Sequence, residues 1–374
     1  MGADSLEPKG DDVARVLWVS AETPDREGQG GQRRQYHQIK SLVSRGHEIT
    51  VVVPQSPQHD RAVKQLVPVR RPRISIRGKV IGAQYRRMQR LIASPDWDAV
   101  VVAHGESWWL MPPPGDMHAP VLLDLHNVLS SWHLAAGRDE LARAALKEEV
   151  DAISGAHAVT TCSDVELQRL LQLHPWSAEK AFVAPLGIDP AEWPNVGFER
   201  SRPLVALFGS WSWRPNELGL NWFLQSVWPL VRDRLPDASV VVAGTGITDA
   251  TAWPSGAEYV GRVADLASFA ASAVVVAVPV WEGVGASVKF AEALASGASV
   301  IATPDGSNAF GSTPAFVASE PGEWADWIVK RLVFRAEEPA PAHARSYALR
   351  ELTWDRGVEP IDRWLRAQSG RARQ

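Results

Sequence analysis

Two stretches of the chain repeat the same order of apolar strands and amphipathic helices. In the first, an apolar strand from Arg15 to Glu22 precedes a Gly-rich turn, a helical pattern that ends at Gly46, and another apolar strand. In the second, strand, helix and strand follow again from about residue 204 onward. Continuous apolar strands that alternate with helices are typical of parallel sheets covered on both faces. The pattern predicts an α/β chain with two doubly wound, Rossmann-like domains in tandem, facing each other across a cleft.

The other elements follow from the same pattern. One helix is predicted over roughly 132–153 and another over roughly 217–234. Further strands of the first half are predicted at 99–104, 121–126, 158–163 and 181–186.

Domain boundaries follow from a segment at 184–203 that contains four prolines and two glycines, a composition typical of linkers. We therefore predict an N-terminal domain at 13–190 and a C-terminal domain at 200–354, after a disordered tail at 1–12. An amphipathic helix is predicted at the end of the chain, over 355–374.

Composition narrows the class of protein. The chain has 374 residues and a net charge of −4, which does not indicate a general nucleic-acid binder. The single cysteine, Cys162, excludes an intrachain disulfide. The polar N-terminus lacks the apolar core of a signal peptide, and no apolar run is long enough to span a membrane. We expect a cytoplasmic protein.

One segment differs from the rest of the chain in its charge. Between Arg61 and Pro95 there are ten Lys or Arg residues and no Asp or Glu. The segment is either a solvated surface or a patch that attracts an anionic partner.

The stretch "PVWEGVGASVKFAEALASGASVIAT", from Pro279 to Thr303, carries the clearest candidate chemistry. Gly283 and Gly285 allow a ligand to approach the backbone closely. The helix that follows offers free N–H groups and a positive dipole end, which suit a phosphate, and Lys289 lies in its first turn. Glu292 lies one turn further along the same face, where its carboxylate can accept hydrogen bonds from ribose hydroxyls.

Other motifs are absent or carry little weight. The pair Asp96 and Asp98 resembles a metal-binding D-x-D, but it directly precedes a strand and has an ordinary structural explanation. No P-loop and no G-x-S-x-G is present. We expect neither a metal nor a cofactor.

The stretch "EGVGASVKFAEALASGASVIAT" is similar to the donor-site motif of the retaining glycosyltransferases of family 4, which have the GT-B fold. Gly283, Gly285, Lys289 and Glu292 fall in register with one branch of that family. The chain departs from the branch at Ser287, where the branch has Arg. Glu282 lies ten residues before Glu292, whereas the commoner pattern separates its two Glu residues by eight.

The resemblance extends over most of the chain. "FGSWSWRPNELGLNWFLQSVWPLVRD" is similar to the opening of the family's C-terminal domain, and it implies that Arg214 joins Lys289 on the donor diphosphate. "GQGGQRRQYHQIKSLVSRGHEITVV" is similar to the family's N-terminal Gly-Gly motif, which implies that Gly30 and Gly31 bring N–H groups to the donor or the acceptor. The last helix is similar to the family's terminal helix, which packs back on the N-terminal domain.

"LLDLHNVLSS" resembles a strand-end segment whose histidine, here His126, lies near the transferred sugar in the family. The resemblance implies transfer of a sugar from a nucleotide-diphosphate sugar to an acceptor hydroxyl, with retention and without a metal. The catalytic group would be His126, Arg214 and Lys289. The donor would be bound by Gly30, Gly31, Glu282, Gly283, Gly285 and Glu292.

Two alternatives stay open from the sequence, a nucleotide-sugar epimerase on the same fold and a non-catalytic two-lobed binding protein. The sequence does not identify the acceptor. The basic segment at 61–95 favours an anionic or lipid-linked acceptor and a peripheral position at the inner membrane face; nucleic acid is a weaker candidate.

Overall fold

The computed structural model describes residues 13–54, 65–69, 83–195, 202–282, 285–334 and 340–369. The chain forms two compact units. The first unit comprises Met1–Pro185 and Gly357–Gln374, and the second comprises Leu186–Arg356. The predicted tail at 1–12 lies outside the described residues, as does Gly283.

The first unit is built on a fully parallel sheet of seven strands. The strands are β1 (Arg15–Ser20), β2 (Glu48–Pro54), β3 (Gln65–Val69), β4 (Ala99–Ala103), β5 (Val121–Leu125), β6 (Ala158–Thr161) and β7 (Ala181–Val183). Their order across the sheet is β3-β2-β1-β4-β5-β6-β7. The order reverses between β1 and β4, which is where ligands bind in open α/β sheets.

Among the described residues, five α-helices of the first unit lie between these strands. They are α1 (Gly30–Ser44), α2 (Ala83–Ile92), α3 (Leu129–Ala135), α4 (Asp139–Gly155) and α5 (Asp164–Leu173). The prediction of a single helix over 132–153 is wrong, because the helix is interrupted between α3 and α4. Gly137 lies in the break with a φ of 67°, a left-handed conformation that glycine adopts without steric cost.

The second unit is built on a parallel sheet of six strands. The strands are β8 (Leu204–Ser210), β9 (Ser239–Thr245), β10 (Ala257–Gly261), β11 (Val275–Val278), β12 (Ser299–Ala302) and β13 (Phe316–Val317). Their order is β10-β9-β8-β11-β12-β13, so the reversal falls between β8 and β11. The prediction of two doubly wound domains is confirmed.

The helices of the second unit include the predicted helix at 217–234, which is confirmed with one irregularity. That helix consists of α6 (Arg214–Trp222) and α7 (Trp228–Arg234), and it is followed by α8 (Leu266–Ser272), α9 (Val288–Ala295), α10 (Pro304–Ser307), α11 (Pro321–Val333) and α12 (Ala340–Glu351). The last helix, α13 (Trp354–Ser369), begins in the second unit and belongs to the first unit from Gly357 onward. A π turn at Phe223–Val227 joins α6 to α7. It ends two residues before Pro229, whose ring would collide with the carbonyl of Gln225 in a regular α-helix.

The terminal helix α13 packs on the core of the first unit. Val358, Ile361 and Leu365 are fully buried in the core that surrounds β1 and α1. Each such side chain contributes about 1.5–3 kcal/mol of burial free energy. Asp362 fixes the helix further by accepting a hydrogen bond from His47 at 2.7 Å.

Within the described ranges, every helix is too short or too polar to cross a lipid bilayer.

Candidate functional site

A buried ion pair occupies the carboxyl edge of the first unit's sheet. Arg34 of α1 reaches both carboxylate oxygens of Asp124 in β5, with N–O distances of 2.7 and 3.1 Å. Arg34 also donates to the carbonyl of Ala184, and Thr160 donates to Asp124 at 2.6 Å. Burial by itself would raise the pKa of Asp124, but Arg34 and His126 hold that pKa well below its ordinary value. Asp124 is therefore an ionised, fully bonded carboxylate.

The predicted site residue His126 is attached to this ion pair. Its Nε2 lies 3.0 Å from Asp124 Oδ2, and the side chain is buried. Because Asp124 is ionised, Nε2 carries a proton and donates it in this hydrogen bond. Nδ1 of His126 is buried and makes no hydrogen bond with the residues that the structure describes. The ring is thus oriented from one side and has a free nitrogen on the other.

A second histidine, His104, lies against His126, and sequence reasoning missed it. It directly follows β4, and the centre of its ring lies 3.6 Å from the centre of the His126 ring. Its φ of 66° is left-handed, which is uncommon for a residue with a side chain. The signal available in the sequence was its place directly after an apolar strand, since ligand-binding residues of α/β sheets lie at the carboxyl ends of strands.

The Gly-Gly motif shapes this edge of the sheet. A Cβ atom at Gly31 would lie 2.5 Å from Cε1 of His104 and 3.3 Å from Nδ1 of His126. Gly31 therefore makes room for the two imidazole rings. Gly30 begins α1, and a Cβ atom there would meet nothing within 4 Å. The predicted contact of these two glycines with a ligand stays a prediction.

Lys289 occupies the carboxyl edge of the second unit's sheet, in the first turn of α9. Its Nζ donates to Oδ1 of Asn216 at 2.5 Å and lies 5.6 Å from the centre of the Trp211 ring. Asn216, which sequence reasoning missed, is held by its own hydrogen bond to the carbonyl of Ser210. Burial lowers the pKa of Lys289 to about 7, against a smaller opposing effect of Glu292.

Arg214 begins α6 and lies two residues before Asn216, the residue that accepts the hydrogen bond from Lys289. Its Nε lies 3.2 Å from Oε2 of Glu282, and the two side chains are 55% and 40% exposed. Glu282 has a left-handed φ of 56°. The exposed ion pair leaves the guanidinium accessible to an anion from solvent.

The remaining predicted residues lie around the start of α9. Glu292 is 2% exposed, one turn after Lys289 in the same helix. Gly285 has a φ of 69°, which a residue with a side chain would adopt only with strain. Gly283 lies outside the described residues. The second unit thus gathers Arg214, Glu282, Lys289 and Glu292 at the ends of β8 and β11, the place where its strand order reverses.

Two family models match the chain and between them cover most of it. Residues 28–192 match the model described as Glycosyltransferase Family 4. Residues 202–332 match the model described as Glycosyl transferases group 1. No curated protein sequence matches the chain.

Solved structures with the same fold cover nearly the whole chain at low sequence identity. HepE from Anabaena, solved in complex with UDP, is 13% identical, with a TM-score of 0.73 over 94% of this chain and 100% of its own. WaaG, a glycosyltransferase involved in lipopolysaccharide biosynthesis, is 16% identical, with a TM-score of 0.66 over 93% and 98%. Sucrose-phosphate synthase from Thermosynechococcus elongatus is 14% identical, with a TM-score of 0.63 over 96% and 98%.

Proposed function

Because the chain belongs to the group 1 glycosyltransferases of family 4 and has the GT-B fold, we propose that it transfers the sugar of a UDP-sugar to an acceptor hydroxyl and releases UDP. HepE has been crystallised with UDP and with UDP-glucose, which supports a uridine donor. Family membership favours glycosyl transfer over the two alternatives left open by the sequence, an epimerase and a non-catalytic binding protein. Retention at the anomeric carbon and independence of metal are proposed on the family resemblance.

The observation that carries the proposal is the anchored Lys289. Its amino group lies in the first turn of α9, held by Asn216 near the N-terminal, positive dipole end of the helix. When the sugar leaves, negative charge develops on the diphosphate. Lys289, the helix end and the exposed Arg214 would stabilise that charge, and such preorganised electrostatics is usually the largest catalytic contribution. No metal is needed in this scheme.

Glu292 and the two glycines complete the donor site that we propose. The Glu292 carboxylate would accept hydrogen bonds from the ribose hydroxyls, while Gly283 and Gly285 would let the diphosphate approach the backbone. Glu282 would restrain Arg214 until an anion competes for it. We propose that the second unit binds the donor nucleotide and that the first unit binds the acceptor, with His126 assigned to the transferred sugar on the family resemblance.

Calorimetric titration of the full chain with UDP, ADP and GDP tests the donor site. We expect UDP to bind most tightly. Lys289→Met should weaken UDP binding by about 10- to 100-fold, because it removes a charge-assisted interaction with phosphate. Glu292→Gln should weaken it less, since one amide oxygen can still accept from the ribose.

The matched control is Lys330→Met, which removes an exposed lysine of α11. It should leave the affinity for UDP unchanged. If no nucleoside diphosphate binds, or if Lys289→Met binds UDP as tightly as the native chain, the proposed donor site is wrong. Release of UDP from UDP-glucose, followed in parallel, would show that the bound donor is also consumed.

For the acceptor we propose an anionic or lipid-linked molecule, with the protein cytoplasmic and in peripheral contact with the inner membrane face. Within the basic segment at 61–95, the structure describes β3 and α2. Three arginines of α2, Arg86, Arg87 and Arg90, are exposed, while Met88 and Ile92 are buried. Nucleic acid is a weaker candidate because the net charge of the chain is −4.

Cosedimentation with vesicles tests this acceptor surface. The native chain should bind vesicles that contain phosphatidylglycerol and should not bind vesicles of phosphatidylcholine alone. The triple substitution of Arg86, Arg87 and Arg90 by Gln should reduce binding to the anionic vesicles. Equal binding of both proteins would contradict the assignment.

A further inference from the structure

A chain of hydrogen bonds fixes the proton on His104. The indole Nε1 of Trp18 can only donate, and it lies 3.2 Å from Oε1 of Gln35. The amide nitrogen of Gln35 must therefore face the other way, and it lies 3.0 Å from Nε2 of His104. Because that amide nitrogen is a donor, Nε2 of His104 accepts. The proton of the neutral ring is consequently on Nδ1.

Neighbouring charges do not reverse this assignment. The Glu22 carboxylate is 3.6 Å from Nε2 of His104, which is beyond hydrogen-bonding distance, whereas the Gln35 amide is within it. Burial lowers the pKa of His104 well below its ordinary value, and the adjacent His126 lowers it further. His104 is therefore a neutral ring whose only donor group is Nδ1–H.

The Nδ1–H group has no partner among the residues that the structure describes. The side chain of His104 is 15% exposed, at the carboxyl edge of the sheet and beside His126. The chain holds the ring there with a left-handed backbone, and such strain clusters at ligand sites. An oriented neutral donor next to the Glu22 carboxylate suits an uncharged oxygen and disfavours phosphate.

We propose that His104 binds the transferred sugar, with its Nδ1–H donating to a sugar oxygen, and that Gln35 and Trp18 are positioning residues that hold it in this tautomer. The inference rests on the proposed function, which places His126 beside that sugar. It adds a second sugar-binding histidine and the pair of side chains that control its proton.

Two substitutions test the proposal without changing the shape of the site. His104→Phe keeps a ring over Gly31 and against His126 but removes both nitrogens. Gln35→Glu keeps the size and shape of the side chain but moves the proton of His104 from Nδ1 to Nε2. The new carboxylate accepts hydrogen bonds from Trp18 and from Nε2–H of His104, so Nδ1 becomes an acceptor. The control is His118→Phe, which alters an exposed histidine away from this cluster.

Calorimetry with UDP and with UDP-glucose separates the sugar from the nucleotide. Both test variants should bind UDP as the native chain does and should bind UDP-glucose about three- to tenfold more weakly, the loss of one hydrogen bond. Release of UDP from UDP-glucose in water should slow in parallel. The control should match the native chain with both probes. Unchanged affinity for UDP-glucose in His104→Phe would overturn the proposal.

Long-range ¹⁵N–¹H NMR of the histidine rings tests the proton assignment directly. The native chain should show His104 as the Nδ1–H form, and Gln35→Glu should show it as the Nε2–H form. A native Nε2–H form or an imidazolium would overturn the assignment. If the native chain bound neither UDP nor UDP-glucose, the proposed function would fail and the sugar-binding role with it. The NMR result would still decide the tautomer by itself.

Discussion

Among the residues that the structure describes, each unit has one residue other than glycine with a left-handed φ, and each follows a corresponding strand. His104 follows β4 and Glu282 follows β11, and each of these strands is the one next to the reversal of strand order in its sheet. Their surroundings differ. His104 is packed on another imidazole and hydrogen-bonded to Gln35, whereas Glu282 is 40% exposed and paired with an exposed arginine. The same backbone conformation therefore accompanies a packed, hydrogen-bonded ring in one unit and an exposed ion pair in the other.

The comparison indicates that the charges at the carboxyl edge of the first sheet are already paired, whereas those at the carboxyl edge of the second sheet are completed by a ligand. In the first unit, Arg34 and Asp124 neutralise each other in the interior and need no ligand. In the second unit, Lys289 has a neutral partner, Asn216, and a pKa lowered to about 7, and so the unliganded site does not favour its positive charge. The packed edge of the first unit suits the orientation of a neutral sugar. The edge of the second unit, where Lys289 can gain a proton and Arg214 is exposed, suits a diphosphate.

The largest expected difference between the two edges is in stability. Arg34→Met leaves the Asp124 carboxylate buried without its cation, which should lower the free energy of unfolding by about 3–5 kcal/mol. Arg214→Met removes one partner of an exposed pair, which should cost less than about 1 kcal/mol. Urea unfolding followed by tryptophan fluorescence measures both.

Asp124→Asn combined with Arg34→Met provides the control. Because it removes both charges, it should recover part of the stability that Arg34→Met loses. Similar losses for Arg34→Met and Arg214→Met would break the contrast between a buried network and an exposed one.

Sequence could predict those features of the two units that depend on residues close together in the chain. Continuous apolar strands predicted both sheets, and Gly285, Lys289 and Glu292 could be proposed as site residues because they lie together on one strand-loop-helix segment. Asn216 and Gln35 were missed because their partners, Lys289 and His104, are 73 and 69 residues away in the chain. No spacing rule connects such residues; only the sheet topology brings them together.

The break at Gly137 shows a different limit. The hydrophobic period continues across α3 and α4, so the pattern predicts one helix, but it does not reveal that the backbone turns left-handed at a glycine in between. Arg34 shows a third limit. In a helix rich in polar residues it has the appearance of a surface charge, and only the structure shows that it is 1% exposed against Asp124.

The next prediction concerns protons at the second edge. Lys289 has a pKa of about 7 in the unliganded site, and a bound diphosphate favours its charged form and raises that pKa. Below pH 7 the lysine is already charged, so affinity for UDP-glucose should not change with pH. Above pH 7 binding must take up a proton, so affinity should fall as pH rises, by at most about tenfold per pH unit.

Calorimetry at pH 8 in buffers of different ionisation enthalpy should report uptake of about nine-tenths of a proton per UDP-glucose bound, as expected for a group of pKa near 7. UDP-glucose is the better probe because its diphosphate does not titrate in this range. Lys289→Met should abolish the uptake. Equal uptake in that variant would assign the proton to another group.

The smallest expected effect isolates the backbone strain at Glu282. Glu282→Gly and Glu282→Ala both lose the pair with Arg214, but only glycine relieves the left-handed φ of 56°. Glycine should therefore be the more stable of the two by about 1 kcal/mol, which thermal unfolding of the two variants side by side resolves as a difference of a few degrees. If alanine is equally stable, the left-handed conformation carries no strain in the second unit. The backbone at the end of β11 would then differ from that at the end of β4 in energy as well as in its partners.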